Sequence, residues 1–142
     1  MNDSKYRYSS HVSARKQQAL TDAVLDRIIK AGHLRKEKYH QNWQSVNLNE
    51  IVDKFAPGST PYDQGGKVVF HKPGGDVAVV VDVGGGYCRL QKMPQTTRHA
   101  QYLDINGHDP NNVRTPNGKQ RGRTKEEKQA ATHFLVKKRE EM

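Results

Sequence analysis

Near its C-terminus the chain reads Thr132-His133-Phe134-Leu135-Val136-Lys137, a histidine at the entrance of a short apolar run. A second histidine, His71, closes another such run, Lys67-Val68-Val69-Phe70. A third run begins with Tyr87 and carries Arg89. An imidazole has an ordinary pKa of about 6.5, so it can take and give a proton near neutral pH. Lysine and arginine supply positive charge, and a tyrosine can donate a hydrogen bond or stack on a base. These are the groups an RNA phosphodiester requires. Cleavage without a metal needs a base for the 2′-hydroxyl proton and an acid for the 5′-oxygen. It also needs cations or donors for the charge on the phosphoryl oxygens. DNA has no 2′-hydroxyl, so the chemistry would be specific to RNA.

These residues share a face only if the runs are strands. The alternation predicts that they are. "KVVFH", "VAVVVDV" and "YCRLQK" are β-branched or aromatic runs separated by the glycine turns "KPGGD" and "GGG", which predicts an antiparallel meander. "QYLDI" adds a strand before Asn106-Gly107, and "HFLVK" closes the sheet. With period two, Val68, Phe70, Cys88, Leu90, Phe134 and Val136 face one way. Lys67, His71, Tyr87, Arg89, His133 and Lys137 then face the other. The middle strand is apolar on both faces, as a central strand would be.

Helices must cover the apolar face. Leu20, Val24, Leu25, Ile28 and Ile29 recur at helical spacing, with Gly32 as a C-cap. In "NLNEIVDKFAPG", Asn47 and Glu50 read as a capping box, and Pro57-Gly58 ends the helix. "GHLRKEKYHQNWQ" reads as loop or short helix, and "GSTPYDQGG" as a linker between helical and sheet halves. Residues 106–123 read as a long surface loop. Thr124 and Glu127 form a second capping box ahead of a short helix. Helices followed by an antiparallel sheet of four to five strands is an α+β class. Residues 1–12 read as a frayed segment and 13–142 as one domain, with a helical part over 13–56 and a sheet part over 65–138.

Composition narrows the partners. The chain has 142 residues, 24 Lys+Arg against 15 Asp+Glu and a formal charge of +9. The sequence pI is about 9.7 and the mean hydropathy −0.97. Such a balance favours a polyanion, nucleic acid first and an anionic membrane surface second. No stretch is apolar enough to span a bilayer, and "MNDSKYRYSS" is no signal peptide. One cysteine, Cys88, excludes an internal disulfide and a cysteine-rich zinc site.

The remaining candidates contact nucleic acid. They are Lys72 after His71, Arg98 and His99 in "TTRHAQY", Lys137, and Arg114, Lys119, Arg121 and Arg123 in the acid-free part of the loop, residues 110–123. Each has a plainer reading: His133 as a polar strand-entry residue, His71 and His108 as turn residues, the loop cations as solvated charge. His11, His33 and His40 read as surface. No glycine-rich run opens a helix after a strand, so no phosphate loop is present. No closely spaced set of His, Asp and Glu resembles a metal site. His99, His108 and Asp109 with Asn111-Asn112 make only a weak metal-nuclease pattern. No cofactor is called for.

"GGKVVFHKPGGDVAVVVDVGGGYCRLQKM" and "YLDINGHDP…THFLVKK" together resemble the toxic C-terminal domains of bacterial polymorphic toxins and contact-dependent inhibition systems. The resemblance is to the ribonuclease superfamily that groups barnase, EndoU, RelE and the tRNA-cleaving colicins. It covers roughly residues 65–138. It implies a functional role for Thr132-His133 and, less specifically, for His71-Lys72. It further implies a tRNA or rRNA target and a cognate, acidic immunity protein. The domain would travel on a larger carrier and act in the cytoplasm of a neighbouring cell. Three functions therefore compete: a metal-independent ribonuclease toxin, a non-catalytic RNA- or ribosome-binding module, and a different nucleotide-directed enzyme. A metal-dependent nuclease toxin is a variant of the first. Against an ADP-ribosyltransferase, the chain has no Arg…Ser-Thr-Ser…Glu-x-Glu arrangement.

Overall fold

The computed structural model describes residues 12–31, 43–114 and 120–137. Helix α1 spans Ala14–Lys30, and the Ser13 side chain accepts from the Lys16 amide at its N-terminus. Its inner stripe is Gln17, Thr21, Val24, Leu25 and Ile28. Ile29 lies a third of a turn off that stripe and is 42% exposed, contrary to expectation. The polar start of the stripe binds the next helix instead. Gln17 Oε1 accepts from the Gly58 amide at 2.9 Å, and Thr21 Oγ1 donates to Asn49 Oδ1 at 3.2 Å. Helix α2 spans Leu48–Phe55, capped by the Asn47 side chain on the Glu50 amide. Gly58 takes a φ of 72°, which reverses the chain after it. The Gly58 carbonyl accepts from the Val12 amide at 2.8 Å, so Val12 is tied down rather than frayed. Gly32, His11, His33 and His40 lie outside the described residues.

The strands are β1 (Gln44–Val46), β2 (Tyr62–Gln64), β3 (Lys67–Phe70), β4 (Val77–Asp82), β5 (Tyr87–Lys92), β6 (Tyr102–Leu103) and β9 (Phe134–Val136). They form one seven-stranded sheet in the order β1-β9-β5-β4-β3-β2, with β6 beside β5. The fold is α+β, with a larger sheet than expected. The supposed linker contains β2, which pairs with β3. The segment before α2 contains β1, which runs parallel to β9. Both strands are three residues long, too short for alternation to register. The predicted loop over 106–123 contains a hairpin, β7 (Asn112–Arg114) paired with β8 (Gln120–Gly122).

Within the strands the predicted faces hold. Val68, Phe70, Val79, Val81, Cys88, Leu90, Phe134 and Val136 join Val24, Leu25, Ile28, Leu48, Ile51 and Val52 in the main core. Neither α1 nor α2 contributes to the cluster on the opposite face. There Val69, Ala78 and Val80 are buried, with Met93 packed against them. That face therefore has an apolar middle and a polar, aromatic flank toward β5 and β9.

Helix α3 (Lys125–Thr132) carries the expected capping box: Thr124 Oγ1 accepts from the Glu127 amide at 3.1 Å, and Glu127 Oε1 accepts from the Thr124 amide at 2.8 Å. The helix ends at His133, whose backbone is already extended. β9 starts at the next residue. It does not close the sheet at an edge but sits inside it, between β1 and β5.

Candidate active site on the outer face of the sheet

His133 sits at a junction of secondary structure. On one side of β5 lies β4. The other side is shared by β9, paired at Tyr87 and Cys88, and β6, paired at Leu90 and Gln91. Arg89 occupies the step between them. Extending the β5–β9 register by one residue sets Arg89 opposite His133, about 5 Å away across the strands. Extending the parallel β1–β9 register by one residue sets Trp43 beside His133.

The side chains bear out that placement. The Trp43 and His133 rings lie 4.4 Å apart, centroid to centroid, tilted by 31°. Tyr87 is 5.1 Å from His133 and meets Trp43 edge-on at 5.3 Å. The Arg89 guanidinium lies over the Tyr102 ring, 3.8 Å from its centroid. One imidazole, one guanidinium and three aromatic rings thus meet at the β9–β5–β6 junction.

The His133 tautomer follows from its neighbours. Nδ1 lies 2.8 Å from the Gln129 carbonyl oxygen. A carbonyl can only accept, so Nδ1 carries a proton. The Thr132 hydroxyl, 3.2 Å from Nδ1, is itself committed as a donor to the Lys128 carbonyl at 2.8 Å. With Nδ1–H fixed to the last turn of α3, the neutral ring carries its lone pair on Nε2. Thr132 is buried and supports the histidine from below.

Tyr87 is held differently. Burial pushes its phenol above the ordinary value of 10.0, and the charge of Asp82 and a hydrogen bond to it act in the same direction. The hydroxyl therefore stays protonated and donates to Asp82. Asp82 Oδ1 in turn accepts from the Gly85 amide at 2.9 Å. Tyr87 contributes its ring to the site, and its hydroxyl belongs to the β4–β5 turn. Cys88, on the core side of the same strand, has its thiol pushed up to about 12 by complete burial.

The other expected residues scatter. His71 is on β3's end, three strand spacings from β9, about 14 Å across the sheet. Its Nε2 donates to the Gly75 carbonyl at 3.0 Å, inside its own turn. It shares a face with His133 but not a phosphodiester, because alternation sets the face and strand order sets the distance. Lys67 is the Cα partner of Asp82 on β3, two strand spacings from β5 on the far side from His133. Lys72 belongs to the His71 turn, where its carbonyl accepts from the Gly75 amide. Lys137 leaves the strand after Val136 and lines a crevice with Glu50 and Lys54 of α2, so the alternation expected to carry it to the His133 face stops one residue earlier. Arg98 and His99 are exposed in the β5–β6 loop. His108 is a turn residue, its amide bonded to Asp104 Oδ1. Arg114 and Arg121 belong to the β7–β8 hairpin, Arg123 follows it, and Lys119 lies outside the described residues.

Sequence reasoning missed Trp43, Tyr102 and Asp82. Trp43 is the chain's one tryptophan, a weak signal in a polar stretch. Its partner strand lies some ninety positions later, a pairing without local trace. Among the described residues no three His, Cys, Asp or Glu side chains gather as metal ligands would. No described helix is long and apolar enough to cross a membrane. Compared with family models, curated proteins and solved structures, the chain matches none.

Proposed function

We propose that this chain is an endoribonuclease that works without a metal, and that the β9–β5–β6 junction is its active site. The observation that carries the reading is His133, its Nδ1–H pinned to the Gln129 carbonyl and its ring packed against both Trp43 and Tyr87. A base must be held in one tautomer and one orientation to take a proton efficiently. In the proposed reaction the 2′-hydroxyl gives its proton to His133 Nε2 and the 2′-oxygen attacks phosphorus. The P–O5′ bond breaks, the 5′-oxygen takes a proton from water, and the hydroxide left behind takes back the proton held on His133, which restores the neutral imidazole. The products are a 2′,3′-cyclic phosphate and a 5′-hydroxyl end. Arg89 balances the charge that grows on the phosphoryl oxygens. Tyr102 and Trp43 offer stacking surfaces to the flanking bases. A formal charge of +9 on the chain as a whole favours association with a phosphate backbone.

The resemblance of residues 65–138 to polymorphic-toxin ribonucleases supports the wider reading. The target would be tRNA or rRNA in the cytoplasm of a neighbouring bacterium, reached on a larger carrier. An acidic immunity protein would neutralise the basic face.

A second reading rests on the distance between the histidines. Two cooperating imidazoles would have strengthened the case for an acid–base pair, and His71 is about 14 Å away. Trp43, Tyr102 and Arg89 are also what a non-catalytic single-strand binder would use. Incubation with total bacterial RNA in EDTA, beside His133→Ala, decides between them. Discrete fragments with cyclic phosphate ends, lost in the variant, are the expected result. Cleavage only with added magnesium would favour a metal-dependent nuclease. RNA bound but intact under both conditions would favour the binder.

A further inference from the structure

Tyr102 stands one strand away from Arg89 and one step out of line with it. The β5–β6 register pairs Leu90 with Leu103 and Gln91 with Tyr102. Arg89 and Gln91 point to the same face, so Tyr102 is the diagonal neighbour of Arg89, within reach of a long side chain. The contact is made: the guanidinium carbon lies 3.8 Å from the centre of the Tyr102 ring. A guanidinium that aimed an N–H at the ring would hold its carbon farther out. At this distance the group lies with its face on the ring. Its N–H donors then radiate from the rim of that plane.

No described acid claims those donors. Extending the β5–β6 register by one residue sets Asp104 opposite Arg89, but the Asp104 carboxylate is occupied in its own turn. Its Oδ1 accepts from the amides of Asn106 and His108, both at 2.9 Å. Among the described residues Arg89 forms no ion pair and donates no side-chain hydrogen bond. Such a half-buried cation is matched by an anion with two oxygens side by side, as a phosphoryl group has. An arginine side chain without a brace samples many rotamers. The sheet gives Arg89 little help, because on the side away from β4 the pairings of β5 stop at Cys88 and resume at Leu90. The Tyr102 ring supplies the missing constraint.

We propose that Tyr102 is a positioning residue: its ring holds the Arg89 guanidinium flat at the seam between β9 and β6, so that two N–H donors meet the phosphoryl oxygens of the substrate in one fixed geometry. The inference rests on the reading of the chain as RNA-directed and deepens it, since Tyr102 acts through Arg89 and not on the reacting atoms. In initial-rate kinetics on a short RNA in EDTA, Tyr102→Leu lowers kcat by roughly tenfold or more, the scale expected when a charge-stabilising group is misplaced. Tyr102→Phe, which keeps the ring face, recovers most of that loss. Arg89→Lys, which keeps both the charge and the ring, loses as much as Tyr102→Leu, because an ammonium is a point charge without a fork of donors. Unchanged Trp43 emission shows that each variant keeps its fold. Added to Arg89→Ala, Tyr102→Leu lowers kcat no further. An undiminished loss in that background, or a Tyr102→Leu effect confined to KM, would overturn the role and leave the ring as a base platform only. A second measurement needs no cleavage. Inorganic phosphate is titrated into the full chain and followed by the Arg89 side-chain Nε–H signal in NMR spectra. The unaltered chain and Tyr102→Phe bind it roughly tenfold more tightly than Tyr102→Leu. If RNA stays intact and this ranking holds, the nuclease reading falls and the positioning role stands. If RNA is cleaved and all three bind phosphate equally, the positioning role falls alone.

Discussion

His133 illustrates how much one residue owes to its neighbours. Its ring is oriented by a helix-end carbonyl, a buried threonine and two aromatic rings. His133→Ala should lower RNA cleavage by about 10²–10⁴-fold, the usual contribution of a general base, measured as initial rates on a short RNA in EDTA. Trp43→Ala should lower the rate while leaving the His133 side chain present, and Trp43→Phe should restore part of it. Tyr87 and Cys88 make a prediction about pH. Their folded-state values are both raised, so both groups are neutral in the folded and unfolded chain at neutral pH. As pH climbs past 9.0 for the thiol and 10.0 for the phenol, the unfolded chain ionises first and the folded state loses stability. The loss continues for Cys88 until about 12. Urea midpoints should therefore fall steadily above pH 9, and Tyr87→Phe should flatten the part that begins near pH 10. For the same reason a chromogenic thiol reagent at pH 8 should react with Cys88 only after unfolding. His133, Tyr87 and Arg89 were legible as one set because strand side chains alternate with a period of two. Trp43 was not, because nothing within ten residues of it marks a strand.

The elements that hold the site are unequal in strength. β4 is buried on both faces, whereas β1, the strand that carries Trp43 into place, has three residues and, among the described residues, pairs only with β9. Helix α3 buries little but Thr132 and depends on its capping box. Thr124→Ala should cost about 1 kcal/mol of stability, read from urea midpoints, with a fall in activity because the Gln129 carbonyl rides on that helix. The β4–β5 turn gives a sharper test. A Cβ at Gly85 would stand 2.5 Å from Tyr87 Cε2, so Gly85→Ala must displace the ring. The emission of Trp43, the sole tryptophan, should shift, and RNA cleavage should drop with little change in the urea midpoint. The meander was legible from its glycine turns and β-branched runs. The β7–β8 hairpin was not, since its arms, Asn112–Arg114 and Gln120–Gly122, are three residues each and mostly polar, too short for alternation to register.

At the scale of the whole molecule, the proposed association with RNA would be governed by charge. RNA binding should weaken with salt, log K falling against log salt by about 0.7 for each single-strand phosphate neutralised. Arg89→Ala should reduce that slope by about 0.7 as well as lowering affinity, whereas Lys54→Ala, on α2, should leave the slope unchanged. Fluorescence anisotropy of a labelled single-stranded RNA between 50 and 200 mM salt, the span over which such binding changes most, distinguishes the two.

Local patterns in this chain settled the class of fold, the order of helices and meander, both strand faces and the two helix caps seen at Asn47 and Thr124. Each is decided by residues within a few positions of one another, where period, cap chemistry and glycine geometry act directly. The tertiary structure decided the rest. Insertion of β9 between β1 and β5 brings Trp43 to His133 and leaves Arg89 at the seam between β9 and β6. The same strand order keeps His71 three strands away from a residue whose face it shares. Side-chain periodicity carries direction but not distance, and only the pairing of strands distant in sequence turns a shared face into a site.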